Sequence, residues 1–152
     1  MKKYILLIVS AFAFSAARSQ TNHVQICSSR SCDVYIVLFA GLCQNPGYKI
    51  LSDTIRVTPG TNKNEYLTGG TLGWHGPIFP GYGITGLRVY SDDPSSGCST
   101  LTYQDIMAPV SGPLPGIVST LIAPTCSAPC PPVTVFFETY CSTPTNNIFC
   151  LW

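Results

Sequence analysis

Four side chains that could contact a ligand lie close together in one glycine- and proline-rich segment, residues 69–83. They are Trp74, His75, Phe79 and Tyr82. Aromatic rings on an exposed loop stack on sugar rings or anchor a protein contact, and glycines let the backbone approach a partner closely. The segment therefore predicts a binding loop for a glycan or for another protein subunit. The alternative is that Trp74 and Phe79 fold back as a lid over one end of the core.

His75 is also the candidate for acid–base chemistry, because the other histidine, His23, lies near the start of the mature chain. A hydrolytic triad needs a nucleophile, a base beside it and a third group that orients the base. The sequence has no Gly-x-Ser-x-Gly turn, but a serine together with His75 and Asp33 or Asp53 would supply the parts. A small secreted hydrolase using His75 is therefore one hypothesis. Since no nucleophile stands out, a protein without enzymatic activity is the expectation.

Eight cysteines give the chain a second kind of chemistry. An even number of cysteines in an exported chain is typical of a disulfide framework. The sequence has no Cys-x-x-Cys pair and only two histidines, so a zinc site is disfavoured and no metal or cofactor is expected. Pairing the cysteines with their neighbours in sequence predicts Cys27–Cys32, Cys43–Cys98, Cys126–Cys130 and Cys141–Cys150.

Short runs of alternating or β-branched residues, separated by turn residues, must position these groups. They predict strands at 22–28, 32–40, 53–58, 63–68, 84–91, 98–106, 117–122, 133–141 and 147–152. The run 32–40 is apolar on both faces, which indicates a central strand that is covered on both sides. The run 63–68 is polar, as expected of an edge strand. Pro59 and Gly60 are suited to a type II turn.

No helical stripe is evident in the mature chain, and so many short strands in this length predict an all-β fold. We expect two packed antiparallel sheets, which is a disulfide-stapled β-sandwich. The architecture resembles immunoglobulin-like or transthyretin-like sandwiches. No motif is specific to either family, and a shared fold does not supply a function.

The first residues have the layout of a cleaved secretory signal. Lys2 and Lys3 precede an uncharged run, residues 4–17, and small residues follow at signal-peptidase spacing. We expect 1–19 to be removed and 20–152 to form a single domain in an extracellular or periplasmic compartment. No transmembrane segment is expected in the mature chain, because its longest uncharged stretch is rich in proline.

Charge is sparse in the mature chain, where five basic and seven acidic side chains give a net charge of −2. Without a basic patch, nucleic acid is not an expected partner. Glu138 is the one charged residue between 107 and 152, and charge depletion is typical of interface centres. We therefore expect a non-enzymatic structural or adhesive module, with self-association left open. A carbohydrate-binding module that uses residues 69–83 is the alternative.

Overall fold

The structure is a computed structural model that describes residues 23–42, 49–67, 71–107, 115–122, 132–138 and 147–151. These residues form ten β-strands and no helix. The strands are β1 His23–Ser28, β2 Val34–Gly41, β3 Ile50–Leu51, β4 Ile55–Val57, β5 Asn62–Tyr66, β6 Gly83–Tyr90, β7 Tyr103–Met107, β8 Pro115–Ile122, β9 Val133–Glu138 and β10 Asn147–Leu151. They belong to two sheets of mainly antiparallel strands. The predicted all-β class and the predominance of antiparallel pairing are confirmed.

The first sheet has the strand order β5-β1-β10-β9-β8. Its one departure from the expected antiparallel pairing is the parallel pair β1 and β10. Parallel neighbours need a long crossover connection, and here the chain from β2 to β9 provides it. The earliest and the latest described strands therefore lie side by side at the centre of this sheet.

A disulfide joins these two strands. Cys27 and Cys150 occupy facing register positions in β1 and β10, and their Cα atoms are 4.5 Å apart. The predicted pairs Cys27–Cys32 and Cys141–Cys150 are therefore wrong. Pairing by closeness in sequence failed because the fold makes neighbours of two strands from opposite ends of the chain.

The other described cysteines are oxidised as well. Cys32 and Cys98 are each disulfide-bonded, and no cysteine of the described residues is free. The expectation of a disulfide-linked β-rich protein is thus confirmed. The predicted bonds Cys43–Cys98 and Cys126–Cys130 involve Cys43, Cys126 and Cys130, which lie outside the described residues, so both stay predictions.

The second sheet has the order β3-β2-β6-β7, and β4 also pairs with β2. The prediction that β2 is a central strand is confirmed.

Where β3 ends and β4 has not yet begun, Ser52 maintains the pairing with β2. Its backbone N donates to Leu38 O at 3.0 Å, and its hydroxyl accepts a hydrogen bond from Leu38 N at 2.9 Å. One serine side chain therefore replaces a backbone acceptor in the ladder.

One hydrophobic cluster takes side chains from both sheets. Its fully buried members include Val24, Ile26, Ile36, Leu38, Leu87, Val89, Val135 and Phe149. Burying a side chain of this size contributes about 1.5–3 kcal/mol. On β2, Val37 and Phe39 are also buried but do not belong to this cluster. Tyr35, on the same face as Val37 and Phe39, is only half-buried, so the prediction that β2 is covered on both faces holds at Val37 and Phe39 and not at Tyr35.

The polar run near residue 63 forms β5, at the edge of the first sheet as predicted. Lys63 faces Ile26 and Glu65 faces Val24 in the register with β1. Both charged side chains therefore lie on the core-facing side, where Lys63 Nζ is 2.7 Å from Glu65 Oε1. Inward-pointing charges on an edge strand oppose pairing with the edge of another molecule.

The predicted type II turn at Pro59 and Gly60 is confirmed. Thr61 N donates to Thr58 O at 3.1 Å, and Gly60 has a φ of 73°, which a residue with a Cβ adopts only at a cost. Gly60 N also donates to Ser28 O at 3.1 Å, so the turn is tied to the end of β1.

Candidate functional site

The described part of the predicted binding loop, residues 71–83, is fastened to the edge of β3. His75 N donates to Leu51 O at 2.8 Å, and Ser52 pairs with Trp74 in an antiparallel bridge. The loop therefore continues the second sheet by one residue pair. This pairing fixes the backbone beneath two of the four candidate side chains.

Trp74 is half-buried and packs against the core cluster, as Leu72, Ile78 and Tyr82 do. Its indole Nε1 is buried, and the part of the chain that the structure describes holds no hydrogen-bond partner for it. This packing agrees with the lid alternative for Trp74. Glycan binding by Trp74 stays a prediction.

His75 is exposed and pairs with a carboxylate. Its Nε2 lies 2.7 Å from Oδ1 of Asp53, which is exposed too. Of the two carboxylates proposed from the sequence, Asp53 is the one beside His75, whereas Asp33 pairs with Arg56. An oriented base is two parts of a triad. Among the hydrogen bonds of the described residues, none joins His75 to a hydroxyl, so hydrolysis by His75 stays a prediction.

The far end of the loop is a type II turn formed by Phe79, Pro80, Gly81 and Tyr82. Tyr82 N donates to Phe79 O at 3.1 Å, and Gly81 has the positive φ, 90°, that this turn requires. The rings of Phe79 and Tyr82 meet edge to face with centroids 5.6 Å apart. Phe79 is 52% exposed. Leu42, which is 43% exposed, lies beside Gly81. We call Leu42, Phe79 and Tyr82 the apolar tip.

A second aromatic surface, which sequence reasoning missed, crosses the second sheet. Tyr35 in β2 faces Tyr90 in β6, and Tyr90 faces Tyr103 in β7. The rings of Tyr90 and Tyr103 are tilted edge to face with centroids 6.0 Å apart, and Tyr103 is 56% exposed. We call these three residues the tyrosine row. Each lies within a predicted strand, but the register that aligns them is set by pairing between strands.

An ionic cluster supports one end of the tyrosine row. Arg88 donates to both oxygens of Asp105, at 2.6 and 3.1 Å, and Lys49 Nζ lies 2.7 Å from Asp105 Oδ2. The Arg88 guanidinium stacks 3.9 Å from the ring centroid of Tyr103, and Lys49 Nζ lies 4.2 Å from that of Phe39. The hydrogen bond from Arg88, helped by Lys49, holds the pKa of Asp105 below its usual range.

Charged side chains border the other end of the row. Arg56 lies opposite Tyr35 in the register and donates to the Asp33 carboxylate. The Asp93 carboxylate accepts hydrogen bonds from the hydroxyl and the backbone N of Ser95, at 2.7 and 2.8 Å, and these bonds lower the pKa of Asp93. Burial raises the pKa of Tyr35, and the nearby Asp93 carboxylate adds to the effect.

Metal-ligand groups and membrane-spanning helices are absent from the described residues. The described residues contain no group of three or more His, Cys, Asp and Glu side chains arranged to hold a metal ion. No helix among the described ranges is long and apolar enough to cross a membrane. Comparison with known proteins finds no matching family model, curated protein or solved structure. The apolar tip and the tyrosine row are the two candidate binding surfaces.

Proposed function

We propose that this protein is a non-enzymatic module of the structural or adhesive class, which acts outside the cytoplasm and self-associates through the apolar tip. In this proposal the two sheets pack face to face as a β-sandwich, and the core cluster that they share supports this arrangement. The disulfide between Cys27 and Cys150 supports an oxidising compartment. A cleaved signal at residues 1–19 is the matching expectation for export.

The exposure of Phe79 is the observation on which the proposal depends. Half of this large apolar side chain is open to solvent, although its position is held by the turn and by the ring of Tyr82. An aromatic side chain that is already ordered loses little conformational entropy when a partner covers it. Ordered, exposed aromatic residues are therefore effective anchors of protein contacts.

The charge pattern favours a second copy of this chain as the partner. The three residues of the tip lie in two stretches of the sequence, residues 34–48 and 66–87, that contain no Lys, Arg, Asp or Glu. Charge depletion matches the centre of a protein interface. A net charge close to zero gives little repulsion between copies, and a twofold axis would bring the same tip to both sides of the contact.

Light scattering on the disulfide-intact protein, over a concentration series, tests this proposal. We expect the wild type to form a dimer or a larger species and Phe79→Ser to return it to the monomer. Tyr103→Ser is the matched control, because it removes a similarly exposed aromatic ring from the tyrosine row and should leave association unchanged. A wild type that stays monomeric at the highest concentration would overturn the proposal, as would equal effects of the two substitutions.

A further inference from the structure

We propose that the tyrosine row is a second binding site and that its ligand is an uncharged carbohydrate. The row is separate from the apolar tip, because the two surfaces lie at opposite ends of β2. Tyr35 is near the start of that strand, whereas its last residue, Gly41, pairs with Gly83 beside the tip. The site is therefore additional to self-association and does not depend on it.

The row has the form of a platform. Its three tyrosines occupy facing positions on three neighbouring strands. Since neighbouring strands lie about 4.8 Å apart, the backbones of Tyr35 and Tyr103 are separated by about 10 Å. Tyr103 is the most exposed member, while Tyr35 and Tyr90 are half-buried. A sugar chain lying across the strands would meet all three side chains.

Tyr103 is held in place before any ligand arrives. Arg88 stacks on its ring at 3.9 Å, Tyr90 contacts it edge to face, and Arg88 is itself held by two hydrogen bonds to Asp105. An ordered side chain loses little conformational entropy on binding. The part of the ring that faces solvent is available to pack against the C–H groups of a sugar.

The charges around the row select a ligand that is rich in hydroxyls and carries no net charge. Lys49 and Arg88 share Asp105, Arg56 pairs with Asp33, and Asp93 lies beside Tyr35. The three cations are matched by three carboxylates, so no net positive charge is left to neutralise a phosphate or a sulfate. An apolar protein surface would remove water from these ion pairs, and that desolvation is costly. Sugar hydroxyls instead replace the water with hydrogen bonds to the same charged groups.

An array of immobilised oligosaccharides tests the site. Its neutral arm carries glucose, galactose, mannose and N-acetylglucosamine oligomers, and its anionic arm carries sialylated and sulfated glycans. We expect the full-length protein to bind at least one neutral oligomer and Tyr103→Ala to weaken that binding by about tenfold or more. Tyr66→Ala is the matched control, because its ring is 38% exposed on the edge strand of the first sheet, away from the row. This control should bind as the wild type does.

Three array results would overturn the proposal. They are no binding to the neutral arm, binding to the anionic arm alone, and binding to a neutral oligomer that Phe79→Ala removes and Tyr103→Ala does not. The third result would locate the sugar at the loop predicted from the sequence. Self-association is measured without sugar, so its failure and the failure of this site are distinguished.

Chemical protection of the wild-type protein makes the test independent of how the variants fold. The bound neutral oligosaccharide should slow nitration of Tyr103 by tetranitromethane, mapped by mass spectrometry, and leave nitration of Tyr66 unchanged. Equal nitration of Tyr103 with and without the oligosaccharide would exclude the tyrosine row as the binding site.

Discussion

The two sheets of this protein are stabilised in different ways. The first sheet is cross-linked by the disulfide Cys27–Cys150 between two adjacent strands, and its edge strand β5 directs Lys63 and Glu65 inward. The second sheet is tied by ion pairs centred on Asp105, and it carries the tyrosine row and leads into the apolar tip. A covalent bond therefore stabilises the first sheet, whereas ion pairs stabilise the second sheet, whose tyrosine side chains form an exposed surface.

Removing the cross-link of the first sheet should have the largest effect. In the double variant Cys27→Ala with Cys150→Ala, we expect the free energy of unfolding to fall by about 3–5 kcal/mol. The reason is that the bond joins residues 123 positions apart, so it restricts the unfolded chain strongly. Urea denaturation at pH 7 measures the loss. A decrease below about 1 kcal/mol would mean that the disulfide does not set the stability of this sheet.

Arg30 should have the next largest effect, because it lies in the connection between the two sheets. It is buried, and its Nη1 donates to Pro132 O at 2.7 Å, just before β9. Burial lowers the pKa of Arg30, so the charge is kept at a cost that its hydrogen bonds must offset. We expect Arg30→Ala to reduce the free energy of unfolding by about 1–3 kcal/mol in urea denaturation. Arg56→Ala, which removes an exposed arginine, should have a much smaller effect.

The contribution of the ion pairs at Asp105 to the stability of the second sheet should depend on pH. The pKa of Asp105 in the folded protein lies below the ordinary value of 3.8, mainly because of Arg88. Its stabilising contribution is therefore present above that value and is lost as the pH falls through the lower, folded pKa. We expect Asp105→Asn to cost about 1–2 kcal/mol at pH 7 and to remove part of the acid loss below about pH 4.

Denaturation of Asp105→Asn and wild type at a series of pH values measures this effect. Asp53→Asn is the control, because Asp53 is exposed and pairs with His75 at the loop. If Asp105→Asn followed the same pH curve as the wild type, the ion pairs of the second sheet would not contribute to its stability.

The smallest effects should come from two glycines in matched turns. Gly60 lies in the turn tied to β1, and Gly81 lies at the apolar tip, with φ values of 73° and 90°. Alanine at either site should cost about 1 kcal/mol, because residues with a Cβ disfavour these angles. Only Gly81→Ala should also weaken self-association, by displacing Phe79, and light scattering of both variants would show it. If the two variants associated equally, the geometry of the turn at Gly81 would not control the contact made by Phe79.

Local patterns predicted most of the strands. The alternating run 53–58 contains β4, and the apolar run 32–40 became the central strand β2. β3 was missed, because two residues are too few to show a period. The strand predicted at 98–106 starts earlier than the observed strand. The first residues of 98–106 form a turn in which Leu101 N donates to Cys98 O at 3.3 Å, and β7 begins only at Tyr103.

The candidate site was only partly predictable. Trp74, His75, Phe79 and Tyr82 stand close together in the sequence, so composition alone singled them out. In the structure Trp74 packs on the core, His75 is exposed and contacts the Asp53 carboxylate, and Phe79 and Tyr82 form an aromatic turn in which Tyr82 also packs on the core. The tyrosine row left no such signal, because its members are far apart in the chain and meet only through the strand register.

The sequence by itself determined the all-β class, the formation of disulfides, the central position of β2 and the turn at Gly60, because alternation, composition and turn preferences act over a few residues. Only the tertiary structure decided that Cys27 bonds Cys150 and that Tyr35, Tyr90 and Tyr103 form one row. Those outcomes depend on which strands become neighbours and in what register, and such choices are made by contacts between distant parts of the chain.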